Sequence, residues 1–297
     1  MWPKRYAKDM ERAWNRVRAV PSAHFETPFG GLEYAQRGTG APVLMSHGIW
    51  GSHAEGIGMV PTYIGDGYSS VAPSRFGYFG TALPRNATPA DQADAYLYLL
   101  DHLQIDRAVA VGYSAGSASA IQLALRHPDR LHALILIAAH LPGLSTPRRV
   151  IHPIMRAAFR WERMFWALKS VMPQAFNRLT GVPKGWATTA AEEKTIREVA
   201  ESIFPVKPRH RGATFDSLVS NPAVNTFPLE NVRVLTLIIR AIDDPYSPGA
   251  TVDSDAARRI PGARLVRIKR GGHLFLGQEA EVRTETSAFI ESAMQKK

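Results

Sequence analysis

The chain has 297 residues, 45% of them apolar and 21% charged, and no cysteine; it is long enough for one large α/β domain or two smaller ones, and disulfides and thiolate metal sites are excluded. No apolar run reaches the roughly 18 residues of a membrane-spanning helix. The net charge of +10 is uneven: residues 1–20 hold six Lys/Arg against two Asp/Glu, residues 144–230 hold thirteen against seven, and the remainder is balanced, which fits local surface attraction better than a nucleic-acid groove.

The opening stretch MWPKRYAKDMERAW is charged throughout and lacks the apolar core and cleavage site of a secretory signal. A cytoplasmic location is expected. Residues 5–18 predict a helix with Tyr6, Met10, Ala13, Trp14 and Val17 on one stripe. Residues 1–20 thus form a basic amphipathic appendage. Next, AHFETPFGGLEYAQR has two extended runs around Pro28-Phe29-Gly30-Gly31, the pattern of a β-hairpin.

From there strands and helices alternate. Val43–Ser46 and Tyr68–Ala72 are short apolar runs, and Ala87–Leu103 has helical spacing opened by Thr88-Pro89. Ala108–Val111 predicts a strand, Ala115–Arg126 a helix stopped by Pro128, and Leu131–Ala138 a strand apolar at nearly every position, as in a parallel strand covered on both faces. The alternation resumes with Val234–Arg240, a helix near 250–260, strand Arg264–Ile268 and a last helix near 278–294. This order predicts a mostly parallel, twisted α/β sheet with right-handed crossovers and helices on both faces. Residues 144–230 interrupt it with a helical, proline-broken insert rich in Trp, Phe, Met and Arg. The expected division is a core of 21–143 and 231–297, with 144–230 as a helical cap. The cap's aromatics (Phe159, Trp161, Phe165, Trp166, Phe176, Trp186, Phe204) are expected mainly to pack on one another, with one or two turned to a pocket. Its basic, aromatic segment 148–169, together with residues 1–20, could also rest on an anionic membrane surface.

The chemistry gathers at V-G-Y-S-A-G, residues 111–116. A serine between glycines at a strand-to-helix junction is the setting of a nucleophile elbow. The tight turn would strain Ser114 and lift its hydroxyl above the sheet, and the helix that follows would aim free N–H groups at the site. A serine hydroxyl needs a base. Of ten histidines, His273 follows a strand and two glycines at the carboxyl end of the sheet. The imidazole in turn needs a carboxylate, and A-I-D-D-P-Y-S-P after Val234–Arg240 offers Asp243 or Asp244.

With these residues in view, the sequence resembles the α/β-hydrolase fold family over about residues 22–297. The matching stretches are S-H-G-I-W-G (46–51), A-P-S-R-F-G-Y-F-G-T (72–81), G-Y-S-A-G (112–116), D-D-P-Y-S-P (243–248) and G-G-H-L-F-L-G (271–277). The order Ser…Asp…His is the one such a fold uses. The family's spacing of acid to proline implies Asp244 rather than Asp243. Its His-Gly turn implies that the backbone N–H groups of Ile49 and Ala115 form an oxyanion hole. Two positions depart from the family pattern: Ser117 stands where many members have a second glycine, and Ser46 replaces an apolar residue. Relatives that dehalogenate alkanes or open epoxides carry aspartate at the elbow, so Ser114 favours acyl transfer. The expectation is a serine hydrolase of carboxylic esters, without metal or cofactor, acting on a small, largely apolar acyl substrate. The alternatives are hydrolysis of a C–C bond next to a carbonyl, and a non-catalytic ligand-binding protein on the same fold. His47 is expected to brace the oxyanion turn, and Arg75 to brace a loop rather than bind a substrate carboxylate.

Overall fold

A computed structural model describes residues 2–143, 159–247 and 250–295. Eight strands form one sheet: β1 (Ala23–Thr27), β2 (Gly30–Arg37), β3 (Ala41–Ser46), β4 (Tyr68–Pro73), β5 (Ala108–Tyr113), β6 (Leu131–Ile137), β7 (Thr236–Ala241) and β8 (Arg264–Ile268). Their order is β1-β2-β4-β3-β5-β6-β7-β8. The β1/β2 and β2/β4 pairs are antiparallel and the other pairs parallel.

The continuous apolarity of the central strands follows from two covered faces. On β5, Val109 and Val111 face one cluster and Ala108 and Ala110 the other; on β6, Ile135 and Ile137 oppose Leu134 and Leu136. Helices α2 (His53–Tyr63) and α10 (Glu279–Gln295) cover the first face through Ile57, Val60, Val282 and Ile290. Helices α3 (Pro89–His102) and α4 (Ser117–Arg126) cover the second through Tyr96, Leu99, Ile121 and Leu123, joined by Ala256 of α9 (Ala250–Arg259). The expected start of α3 is present as a capping box, with Thr88 and Asp91 exchanging hydrogen bonds.

The described part of the insert contains α5 (Glu162–Val171), α6 (Pro173–Arg178), α7 (Ala190–Ser202) and α8 (His210–Phe215), then a π-helical turn over Asp216–Ser220. The first part of the expected 144–230 segment, 144–158, lies outside the described residues, as does the first half of the basic stretch 148–169.

Helix α1 (Trp2–Arg18) lies against the insert rather than standing apart. Met10 and Ala13 join Trp166, Phe176, Ala200, Ile203 and Phe204 in one buried cluster. Tyr6 Oη donates to Glu162 Oε1 at 2.6 Å, and Trp166 Nε1 donates to Asp9 Oδ2 at 2.9 Å. The apolar stripe read from the sequence is therefore used inside the molecule, except for Trp14, which remains 36% exposed. No helix among the described residues is long and apolar enough to cross a membrane.

Candidate active site

Ser114 follows β5 directly and sits at φ +50°, in the left-handed region that a non-glycine residue rarely adopts. The flanking glycines explain how so tight a turn fits. A Cβ on Gly112 would lie 2.6 Å from the Cα of Ser117, and one on Gly116 would lie 2.1 Å from the Ser46 carbonyl oxygen. Both contacts are with backbone, so neither can yield. The 3-10 turn Ser114–Gly116 then leads into α4, which begins at Ser117, two residues later than the sequence pattern suggests.

The three expected side chains meet above the carboxyl end of the sheet. Ser114 Oγ and His273 Nε2 are 2.9 Å apart, and His273 Nδ1 and Asp244 Oδ2 are 2.9 Å apart. Asp244 is 2% exposed and His273 7%. Burial pushes the Asp244 carboxyl upward, but His273, Arg240 and the Tyr246 amide outweigh that and hold it below the usual aspartate value. The neighbouring Asp243 does something else: its carboxylate accepts from the amides of Gly271 at 3.2 Å and Gly272 at 2.9 Å. One aspartate meets the imidazole, and the other fixes the loop that carries it.

Ile49 lines the same cavity as Ser114, and Ala115 is the buried residue that follows the serine in the 3-10 turn, where helix-opening amides lack intrahelical partners. Below that turn, fully buried His47 accepts the Arg75 amide on Nε2 at 3.0 Å, and Nδ1 lies 2.8 Å from the Gly48 carbonyl oxygen. This pattern requires the neutral ring with its proton on Nδ1. Burial, reinforced by the Arg75 charge, holds His47 well below the ordinary histidine value. Arg75 itself makes a buried two-pronged pair with Asp216, so its guanidinium is committed to that carboxylate.

The two departures from the family pattern have partners. Ser117 Oγ lies 2.6 Å from the Ser114 carbonyl oxygen and accepts the His140 amide at 3.0 Å. Ser46 Oγ lies 2.9 Å from Tyr96 Oη and 3.0 Å from Ser119 Oγ.

The cavity over Ser114 has a volume of about 330 Å³. Ile49, Trp50, Met59 and Tyr63 line it from the core side, and Leu179, Thr180, Val199 and Ile203 from the insert. The expectation that one or two insert aromatics face the pocket is corrected: among the described residues none of the seven lines it. Trp166, Phe176 and Phe204 are used against α1, while Phe159 and Phe165 pack on Trp50 with ring centroids 4.8 and 5.2 Å away. The pocket's aromatic rings are Trp50, Tyr63, Tyr113 and Tyr246 of the core.

Three residues of the site were not singled out from sequence. Tyr113 Oη donates to the His273 carbonyl at 2.8 Å; Tyr246 sets its ring edge-on to the imidazole at 4.9 Å; and Arg240 pairs with Asp244. For Arg240 a signal existed: it is a lone charge in an otherwise apolar or uncharged strand, T-L-I-I-R-A, four residues before an aspartate.

Comparison with known proteins gives a family model, alpha/beta hydrolase fold, that matches residues 41–280. The Bacillus subtilis hydrolase YcgS is 31% identical over 279 residues, covering 89% of this chain and 96% of that protein. A 2-hydroxymuconate semialdehyde hydrolase from Pseudomonas putida is 27% identical, covering 82% of this chain and 85% of that one. Among solved structures, an alpha/beta hydrolase fold protein from Nakamurella multipartita superposes with a TM-score of 0.70 at 24% identity, covering 92% of this chain and 99% of that chain.

Proposed function

The chain belongs to the α/β-hydrolase fold family, and from that premise we propose that it is a serine hydrolase that cleaves carboxylic esters through an acyl-enzyme. The observation that carries the reading is the unbroken hydrogen-bond chain from Asp244 through His273 to Ser114, 2.9 Å at each junction, opening into a cavity.

In this reading His273 Nε2 takes the hydroxyl proton as Ser114 Oγ attacks the acyl carbon. Asp244 holds the proton on Nδ1, which leaves Nε2 free to accept, and then stabilises the imidazolium that forms. The N–H groups of Ile49 and Ala115 hold the developing oxyanion; one such donor is worth about 3 kcal/mol of barrier. Collapse of the tetrahedral intermediate sends the alcohol away with the proton from His273. A water then gives its proton to the same nitrogen, attacks the acyl carbon and releases the acid. The apolar lining from Ile49, Met59, Leu179, Val199 and Ile203 suits a small, largely apolar acyl group. Asp244, held below the usual aspartate value, stays a carboxylate opposite Nδ1 at neutral pH.

A second reading, hydrolysis of a C–C bond beside a carbonyl, is favoured by one observation: a relative of broad coverage is named for a semialdehyde rather than an ester. A panel of p-nitrophenyl esters of increasing acyl length, lactones and a vinylogous diketone, with Ser114→Ala as the blank, separates the two. Ester cleavage that vanishes in the blank and exceeds diketone cleavage is expected. Equal ester turnover by Ser114→Ala would overturn the proposal.

A further inference from the structure

Strand β7 is buried at every position, and it carries an arginine. Arg240 is 2% exposed. A guanidinium in such a place must be fully engaged, since a buried unpaired charge costs several kcal/mol. One nitrogen, Nη1, donates to Asp244 Oδ2 at 2.9 Å, and the other, Nη2, donates to the Ala139 carbonyl beyond the end of β6. Asp244 Oδ2 is the same oxygen that His273 Nδ1 meets, while Oδ1 accepts the Tyr246 amide at 2.9 Å.

These contacts close a circuit. Ala139 precedes His140, whose amide donates to the Ser114 carbonyl at 3.2 Å and to Ser117 Oγ at 3.0 Å. From Ser114 Oγ the path runs through His273, Asp244 and Arg240 back to Ala139. The strained backbone of the serine and the carboxylate of the acid are thus fixed to each other through one guanidinium. The rest of the surroundings of the imidazole are neutral or tied. Tyr113 and Tyr246 are phenols raised by burial, Tyr246 to about 12. His140 is lowered to about 4, first by burial and then by Arg240 and His273. Asp243 is bound to the Gly271 and Gly272 amides. Among these described neighbours Arg240 carries the permanent positive charge.

Resting on the Ser114–His273–Asp244 reading above, we infer that Arg240 is a positioning residue of the reaction, which locks the Asp244 carboxylate in register with His273 and, by donating to the same acceptor oxygen, tempers the negative charge that Oδ2 presents to the imidazole. Both effects have a sign. Without the guanidinium, Asp244 presents its full charge to the imidazolium, which becomes harder to deprotonate, so more alkaline conditions are needed for turnover. The carboxylate also gains freedom to turn away from Nδ1, which lowers kcat and leaves KM in place.

The test is the pH profile of kcat/KM for p-nitrophenyl acetate in the wild type, Arg240→Gln, Arg240→Met and Arg240→Lys, each with its melting temperature, and with Ser114→Ala alongside. The neutral variants are expected to lose about tenfold or more in kcat and to move the acidic limb upward by roughly half a pH unit or more, as expected for loss of a charge two hydrogen bonds away. Arg240→Lys keeps the charge but cannot bridge both acceptors; its limb should stay at the wild-type position while its plateau falls several-fold. A folded Arg240→Gln with wild-type limb and plateau would overturn the inference. Should the neutral variants not fold, a wild-type plateau in Arg240→Lys would overturn it instead. A wild-type rate in Ser114→Ala would sink the underlying reading, whereas an inactive Ser114→Ala beside an unaltered Arg240→Gln would sink only the role of Arg240.

Discussion

Asp243 and Asp244 are adjacent, chemically identical and committed to different partners. Asp244 faces the imidazole, while Asp243 holds the amides of Gly271 and Gly272. Their substitutions should separate accordingly. Asp244→Asn puts an amide opposite Nδ1 and disturbs the tautomer, so kcat should fall by about 10³ to 10⁴. Asp243→Ala leaves the hydroxyl, imidazole and acid in place; the expected result is a stability loss of about 1–3 kcal/mol from two amides without acceptors, with kcat within about tenfold of wild type. Steady-state kinetics and urea unfolding on both variants check this, and a reversed ranking in kcat would exchange the two roles. Glu33 offers a purely structural residue-scale case. It is 8% exposed on β2 and accepts from Ser22 Oγ, Ser74 Oγ and the Gly80 amide. Burial pushes its carboxyl up, but the hydrogen bond and charge of His53 and these donors outweigh that and bring it from 4.5 down to about 2. A depressed carboxyl stabilises the fold above its unfolded value and loses that contribution as pH falls through its folded value. Glu33→Gln should therefore cost on the order of 3 kcal/mol at neutral pH, and the gap to wild type should close as pH is lowered from about 4.5 toward 2. Urea titrations across that range measure it, and a gap that widens in acid would contradict the assignment.

At the scale of elements, α1 and the insert depend on each other. Ala13 is fully buried at their contact, and Arg16 donates to the Glu201 carbonyl of α7 at 2.6 Å. The insert side of this contact includes Ile203, which also lines the cavity. Ala13→Glu should therefore separate α1 from the insert and raise KM for long acyl esters several-fold, with labelling of Ser114 by a small fluorophosphonate little changed; equal KM values for short and long esters in the variant would argue against the coupling. The elements differ in how readable they are from sequence. The hairpin, the central strands and the capped start of α3 carry strong local signals: Gly30-Gly31, two-sided apolarity and Thr88-Pro89. Helix α2 reads weakly past its Ser52 cap, because Gly56, Gly58 and Pro61 all lower helix propensity within 11 residues. Gly56 is there for packing, since a Cβ would lie 2.7 Å from that of Ala72. The candidate site was legible where motif and position coincide, at Ser114, Asp244 and His273. Arg240 and Tyr246 escaped because pairing across 3-D space leaves only a misplaced charge or an ordinary loop tyrosine in the sequence. The pocket aromatics escaped because composition reports that the insert is aromatic but not which way each ring turns.

Across the whole molecule, the insert is tied to the core by buried charge as well as by apolar contact. Arg209 donates to Glu55 Oε1 at 2.7 Å and to the Gly51 carbonyl at 3.3 Å, beside the turn that holds Ile49. Asp216, just after α8, takes both prongs of Arg75, whose amide supports His47 under the same turn. Removing one partner of such a pair strands the other, so Asp216→Ala should cost about 3–5 kcal/mol. It should also lower kcat, because the turn loses its brace. Unfolding and steady-state kinetics on that variant check both; a stable, fully active Asp216→Ala would separate the pair from the site. The account as a whole depends on Ser114 being a hydroxyl activated by His273. Its most direct test is covalent labelling with a fluorophosphonate, read by mass spectrometry of the peptide that contains residue 114, in the wild type and in His273→Ala. The expected result is stoichiometric modification of Ser114 in the wild type and a labelling rate lower by about 10³ or more without the imidazole. An unmodified Ser114 in active wild-type protein, or equal labelling in the two proteins, would contradict it.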